Sequence, residues 1–227
     1  AEVLAEHNKK TGPHSSREIY MYHDREDPRY TRHPGKLTDQ ASLRRMIDGY
    51  DTAIRYVDDQ LEIILAALRS RGVLDDTAII ISADHGENMS ELGIYGEHAT
   101  ADQGTCNIPM IIRWPGGVEG QLDDQLHYNL DLAPTLMELL GGEACPIWDG
   151  SSYAATVRNG TAAGHRELII SQCCHVCQRS VRFGPWLYVR TFHDGFHLFP
   201  RELLFNLEDD PHEQRDIAAT HPDICRE

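Results

Sequence analysis

Between Thr38 and Gly72 the apolar positions fall at three- and four-residue spacing: Leu43, Met46, Ile47, Tyr50, Ile54, Val57, Leu61, Ile64, Leu65 and Leu68. That period predicts one long amphipathic helix with an apolar stripe turned to a core. Thr38 or Asp39 is placed to cap its start, and Gly72 to end it. The pattern then changes. "TAIIISADHG" carries a continuous β-branched run, which predicts a strand buried on both faces, as in a parallel sheet covered by helices. "CNIPMIIRWPGG" predicts a second such strand over Pro109–Trp114, and "LHYNLDLAPTLMELLGG" a second helix. That helix has Asp131 near its start, Pro134 in its first turn and Gly141-Gly142 as its stop.

Residues 1–38 are polar, with prolines at 13, 28 and 34, and read as loop; "SSREIYMYHD" can hold a short strand or helical turn. Beyond about residue 150, "ELIISQCC", "RSVRFGPWLYVRTF" and "RELLFNLEDD" read as short strands of a small antiparallel sheet, closed by one or two short helices. The expected fold class is therefore α/β: part of a mostly parallel sheet covered by helices (residues 1–150), followed by a small C-terminal antiparallel sheet with a terminal helix (residues 151–227).

Composition narrows the function classes. The 227 residues carry a formal net charge of −15, which argues against nucleic acid as a partner because phosphate backbones demand a basic footprint. An acidic surface suits a very soluble protein. No apolar run approaches the roughly 18 residues that span a bilayer, so no membrane span is expected. The first residues show no basic-then-apolar signal pattern, so the chain is expected to be soluble, either cytoplasmic or with its export signal lost. The six cysteines are expected to be reduced.

The chemistry concentrates at Asp84-His85-Gly86, where the apolar strand ends, and at His98. Open α/β sheets place ligands just beyond their strand ends. A carboxylate and an imidazole there can reach one divalent ion, and His98 can offer a proton or positive charge to the same anion. A surface turn with a hydrogen-bonded histidine is the plainer reading of each. "CCHVC" offers three thiols and His175, but adjacent residues on a strand point to opposite faces, so all four do not share one zinc ion easily. Trp186 and Tyr188 read as sheet-face residues, and Asp58-Asp59 as a solvated helix face.

Several segments taken together resemble the sulfatases of the alkaline-phosphatase-like superfamily. "RRMIDGYDTAIRYVDDQLEIILAALRSRGVLDDTAIIISADHGE" resembles the family's long helix followed by D-x-T-x-I-I-x-x-S-D-H-G-E. "CNIPMIIRWPGG", "NLDLAPTLMELLGG", "DGSSYAATVRNG" and "RFGPWLYVRTF…ELLFNLEDDPHEQRDIA" resemble later family segments in the same order, from about residue 45 to the end. The resemblance implies that Asp84 and His85 ligate a divalent metal, with calcium expected and manganese or magnesium as alternatives. It also implies that His98 takes the catalytic, sulfate-binding position usually held by a lysine. Asn107 stands where the family commonly has arginine. None of Cys106, Cys145, Cys173, Cys174, Cys177 or Cys225 begins Cys-X-Pro/Ala-X-Arg, the motif that yields the family's formylglycine nucleophile.

The chain therefore reads as the C-terminal half of a sulfatase core, inactive by itself. The formylglycine is expected in a missing N-terminal half, which becomes a partner alongside a sulfated small molecule or glycan. Hydrolysis of phosphodiesters or phosphonate monoesters, and a noncatalytic interaction or metal-binding module, are the alternatives.

Overall fold

The computed structural model of the chain describes residues 2–19 and 35–226. The turn or strand expected in "SSREIYMYHD" lies partly outside the described residues, as do Pro28 and Pro34. Its described part is a tight turn closed by a bridge between Ser15 and Glu18. The leading segment is not all loop, because α1 forms over Glu2–His7. Two compact units are formed. One comprises residues 1–67, 84–108 and 169–227, and the other residues 68–83 and 109–168.

α2 spans Gln40–Ser70, with all but its last three residues in the first unit. Asp39 caps it: its Oδ1 accepts from the Ser42 N–H at 2.7 Å, while Ser42 Oγ accepts from the Asp39 N–H at 3.1 Å. The expected apolar stripe is correct in its period but not in its partner. Leu43 and Met46 pack beside buried Leu4, Ile19, Leu37 and Tyr95. Further along, Tyr50, Ile54, Val57 and Ile64 are all exposed.

The C-terminal strands of this unit are β3 (Glu167–Gln172), β4 (Cys177–Phe183), β5 (Trp186–His193) and β6 (Glu202–Asn206), in the order β3-β4-β5-β6. β4 and β5 form an antiparallel hairpin, with Phe183 opposite Trp186 across Gly184-Pro185. Alternation along β5 buries Leu187, Val189 and Thr191 and leaves Trp186 and Tyr188 half-buried on the other face. Leu187 and Val189 join Leu203 and Phe205 of β6 in a core that also takes in Leu92 and Ile94. Each such buried side chain stabilises by roughly 1.5–3 kcal/mol. This core underlies the loop that carries the candidate site.

In the second unit, β1 (Ile79–Ser82) and β2 (Met110–Arg113) pair antiparallel, with Ile79 opposite Arg113 and Ser82 opposite Met110. The expectation of a mostly parallel sheet is thus overturned: the pairings of both sheets are antiparallel. An apolar run reports burial but not the direction of its neighbour. Here even burial is incomplete, for β1 is half-buried and Ile111 exposed. Arg113 donates to the Leu74 and Thr77 carbonyls at 2.6 and 3.1 Å, holding the turn before β1. α4 (Leu132–Leu139) follows the buried Asp131, whose carboxylate accepts from the Tyr128 and Ser151 N–H groups. Gly141, at φ 79°, ends it. α5 (Ala154–Asn159) ends at Gly160, at φ 75°.

Candidate metal centre

The chain leaves β1 at Ser82 and reaches Asp84 after one residue. At Gly86 a Cβ would lie 2.0 Å from the Gly104 carbonyl oxygen, so only glycine permits this approach. The Gly86 N–H donates to the Thr105 carbonyl at 2.7 Å across the same contact. Thr105 sits in α3 (Gln103–Cys106), which Asp102 caps by accepting the Thr105 N–H.

What brings the two halves of the loop together is an antiparallel bridge between Asn88 and Glu97. Asn88 N–H donates to the Glu97 carbonyl at 2.9 Å, and Gly96 N–H to the Asn88 carbonyl at 2.8 Å. The Asn88 side chain is fully buried and donates to Thr100 Oγ1 at 2.8 Å. In that register Glu87 falls opposite His98, and His98 Nδ1 lies 3.2 Å from Glu87 Oε2.

Of the three side chains expected at the site, His85 and His98 come together, while the Asp84 carboxylate stays largely exposed beside His85. The His85 and His98 rings stack with centroids 3.8 Å apart and planes 17° from parallel. Asp84 Oδ2 lies 3.6 Å from His85 Nε2, and Asp84 Oδ1 accepts the His85 N–H at 3.0 Å. His85 Nδ1 is 2.8 Å from the Gly86 carbonyl oxygen, which orients its ring. Ligand atoms of His85, Glu87 and His98 lie within 4.8 Å of one another. Glu87 was not among the expected site residues, although it closes the "DHGE" segment and that acid was the available signal. This donor set fits a divalent cation. Asp84 and Glu87 offer hard oxygens suited to calcium, magnesium or manganese, and the imidazoles add donors that suit transition ions.

A second cluster lies in the same unit. His14 Nε2 and His175 Nδ1 meet Glu97 Oε2 at 2.7 and 2.9 Å, while Glu97 Oε1 accepts the His98 N–H at 2.9 Å. Burial alone would raise the Glu97 carboxyl, but the nearby His14 ring, the His98 N–H and the His175 ring draw it down to about 2. His197 is pushed down to about 4 by its own burial and then by the His14 ring. "CCHVC" therefore divides: His175 turns to Glu97, while Cys173 Sγ and Cys177 Sγ lie 3.4 Å apart near the surface. Nothing in the spacing of residues 14, 97 and 175 announces that they meet. Among the described residues, no helix is long and apolar enough to cross a membrane.

Comparison with known proteins places these features. Residues 5–142 match the Sulfatase family. The choline-sulfatase of Rhizobium meliloti is 30% identical over 188 residues, covering 79% of this chain and 34% of that protein. The solved structure of a 2-O GAG sulfatase has a TM-score of 0.71 at 25% identity, covering 83% of this chain and 42% of that one. The phosphonate monoester hydrolase of Agrobacterium radiobacter has a TM-score of 0.64 at 26% identity, covering 84% and 42%. The chain spans about a third of the length of the curated relatives it matches.

The expectation of a C-terminal half is overturned by these matches, and with it a missing N-terminal half as partner and as seat of the site chemistry. The family region begins at residue 5, in the N-terminal portion of the chain, and takes in the segment read as leading loop. Both His/Glu clusters lie within this chain. From the match over residues 5–142 and the solved structures that share its fold, this chain belongs to the Sulfatase family.

Proposed function

We propose that the whole protein is a metal-dependent hydrolase of anionic esters, with a sulfated small molecule or glycan as substrate. The observation that carries this reading is the stack of His85 and His98 beside Asp84, in a chain of this family. Asp84 and His85 ligate the divalent metal, with calcium as the expected ion and manganese or magnesium as alternatives. A bound ion would polarise the ester oxygen and offset charge that develops as the bond breaks. His98 contacts the anion directly, and Glu87 orients the His98 ring through their 3.2 Å contact. The loop that carries the site, residues 84–98, belongs to the same compact unit as the C-terminal strands β4, β5 and β6.

A second reading, phosphonate monoester hydrolysis, is favoured by the similarity to the Agrobacterium radiobacter enzyme. The two are separated by measuring kcat/KM of the whole protein on matched aryl sulfate and aryl phosphonate esters. Preference for the sulfate supports the first reading, and the reverse preference establishes the second. The 227-residue chain by itself is expected to turn over neither, because none of its cysteines begins the formylglycine motif. Turnover by the purified chain that disappears with Asp84→Ala would overturn that expectation.

A further inference from the structure

The sulfate-ester reading leaves the second cluster without a task. We propose that His14, Glu97 and His175 form a separate metal site for Zn²⁺ or a transition ion of similar softness, with His197 bordering its fourth position. Their ligand atoms lie within 4.8 Å of one another, and Glu97 is 3% exposed.

Four observations carry this. An unmet polar atom comes first. Nε2 of His197 is buried without a hydrogen-bond partner among the described residues. A buried nitrogen left so is costly, and a cation that takes its lone pair removes the cost. His14 Nε2 and His175 Nδ1 both close on Glu97 Oε2, at 2.7 and 2.9 Å, so one carboxylate oxygen already gathers two imidazoles. The second is the donor set: two imidazoles and a carboxylate match zinc coordination and are too nitrogen-rich for calcium. The third is strain. His14 is held at φ 59°, a left-handed conformation uncommon outside glycine and concentrated at functional positions. The last is topology. The ligands come from the loop after α1, the loop before α3 and the turn between β3 and β4, and joining remote segments is what structural metals do. The His14 ring faces those of His175 and His197 at centroid distances of 6.2 and 6.3 Å.

The test uses the 227-residue chain carrying Asp84→Ala and His85→Ala, so that the site around Asp84 does not contribute and its own failure stays distinguishable. After dialysis against a chelator, Zn²⁺ is titrated by calorimetry, and Co²⁺ is used as a visible-absorption probe. One equivalent of Zn²⁺ is expected to bind and to raise the melting temperature. Adding His175→Ala should weaken binding at least about tenfold and remove the melting shift, as loss of a ligand does. His175 is partly exposed, so this variant tolerates the change, and circular dichroism checks its fold. Replacing Cys173 and Cys177 together by serine should leave binding unchanged. The proposal is overturned if the parent chain binds no Zn²⁺, if binding survives His175→Ala, or if it vanishes with the two cysteines instead.

Discussion

His85→Ala is expected to strip the metal from the site around Asp84 and to lower turnover by the whole protein about a hundredfold or more, with stability nearly unchanged. A metal that offsets developing charge contributes several kcal/mol to the transition state, and each 1.36 kcal/mol is tenfold in rate. The stability side follows from exposure. The His85 side chain is 39% accessible, and its contacts are the Gly86 carbonyl, the Asp84 carboxylate and the His98 ring. Losing contacts of this kind at a partly exposed position costs about 0.5 kcal/mol or less. Asp84→Ala should behave alike, since its carboxylate is 88% exposed. Elemental analysis of dialysed variants, set beside thermal melts, checks both halves. Wild-type metal content in either variant would remove that residue from the ligand set.

Glu213→Gln is expected to flatten the decline of stability with rising pH, by about 4 kcal/mol between about pH 5 and pH 8. Glu213 is 2% exposed. Burial first, and then the neighbouring Asp102 carboxylate, push its carboxyl up from 4.5 to about 9; the Gln103 N–H, donating at 2.8 Å, acts in the opposite sense. Glu91 and Asp210 add to the repulsion. The folded protein thus keeps a proton that the unfolded chain releases near 4.5. This group's stabilisation is fully present below that pH, falls by about 1.36 kcal/mol per pH unit above it, and is exhausted near 9. Glutamine carries no titrating proton and retains an oxygen for the Gln103 N–H. Denaturant melts of the two proteins should nearly coincide at pH 5 and separate at pH 8, the variant being the more stable. Coincident curves at pH 8 would mean that Glu213 is ionised in the folded protein.

The sequence was informative wherever a period or a cap encodes structure locally. Asp39, Ser42 and Gly72 bound α2 as their chemistry requires, and Gly141 ends α4. It was silent on partners. The period of Leu43, Met46, Tyr50 and Ile54 defines a stripe, but not that only its first turns find a cluster to join. The Ile79–Ile81 run contains nothing that sets the direction of β2, because strand direction is decided by the chain that returns. The approach of His85 to His98 was legible in part, since His85 follows a strand end and His98 lies within one loop of it. Glu87 was missed because its role depends on the Asn88–Glu97 bridge, a feature of register rather than of residue type. His14, Glu97 and His175 meet only through tertiary folding, which no local pattern reports.

The carboxylate of Glu97 faces two ways: one oxygen toward His14 and His175, the other toward the backbone amide of His98. In the two-site reading, two neighbouring residues serve two different sites, and changes in them should be epistatic. Residues 97 and 98 are joined through the His98 backbone amide, so a change at Glu97 reaches the backbone that carries the His98 ring, and neighbours coupled in this way show interaction energies of about 0.5–3 kcal/mol. A variant altered at Glu97 would find His98 already displaced, so a further change at His98 would cost less than it does alone. Over evolutionary time such a dipeptide has few single-step exits, because any replacement of the acid is felt at both sites in the same generation.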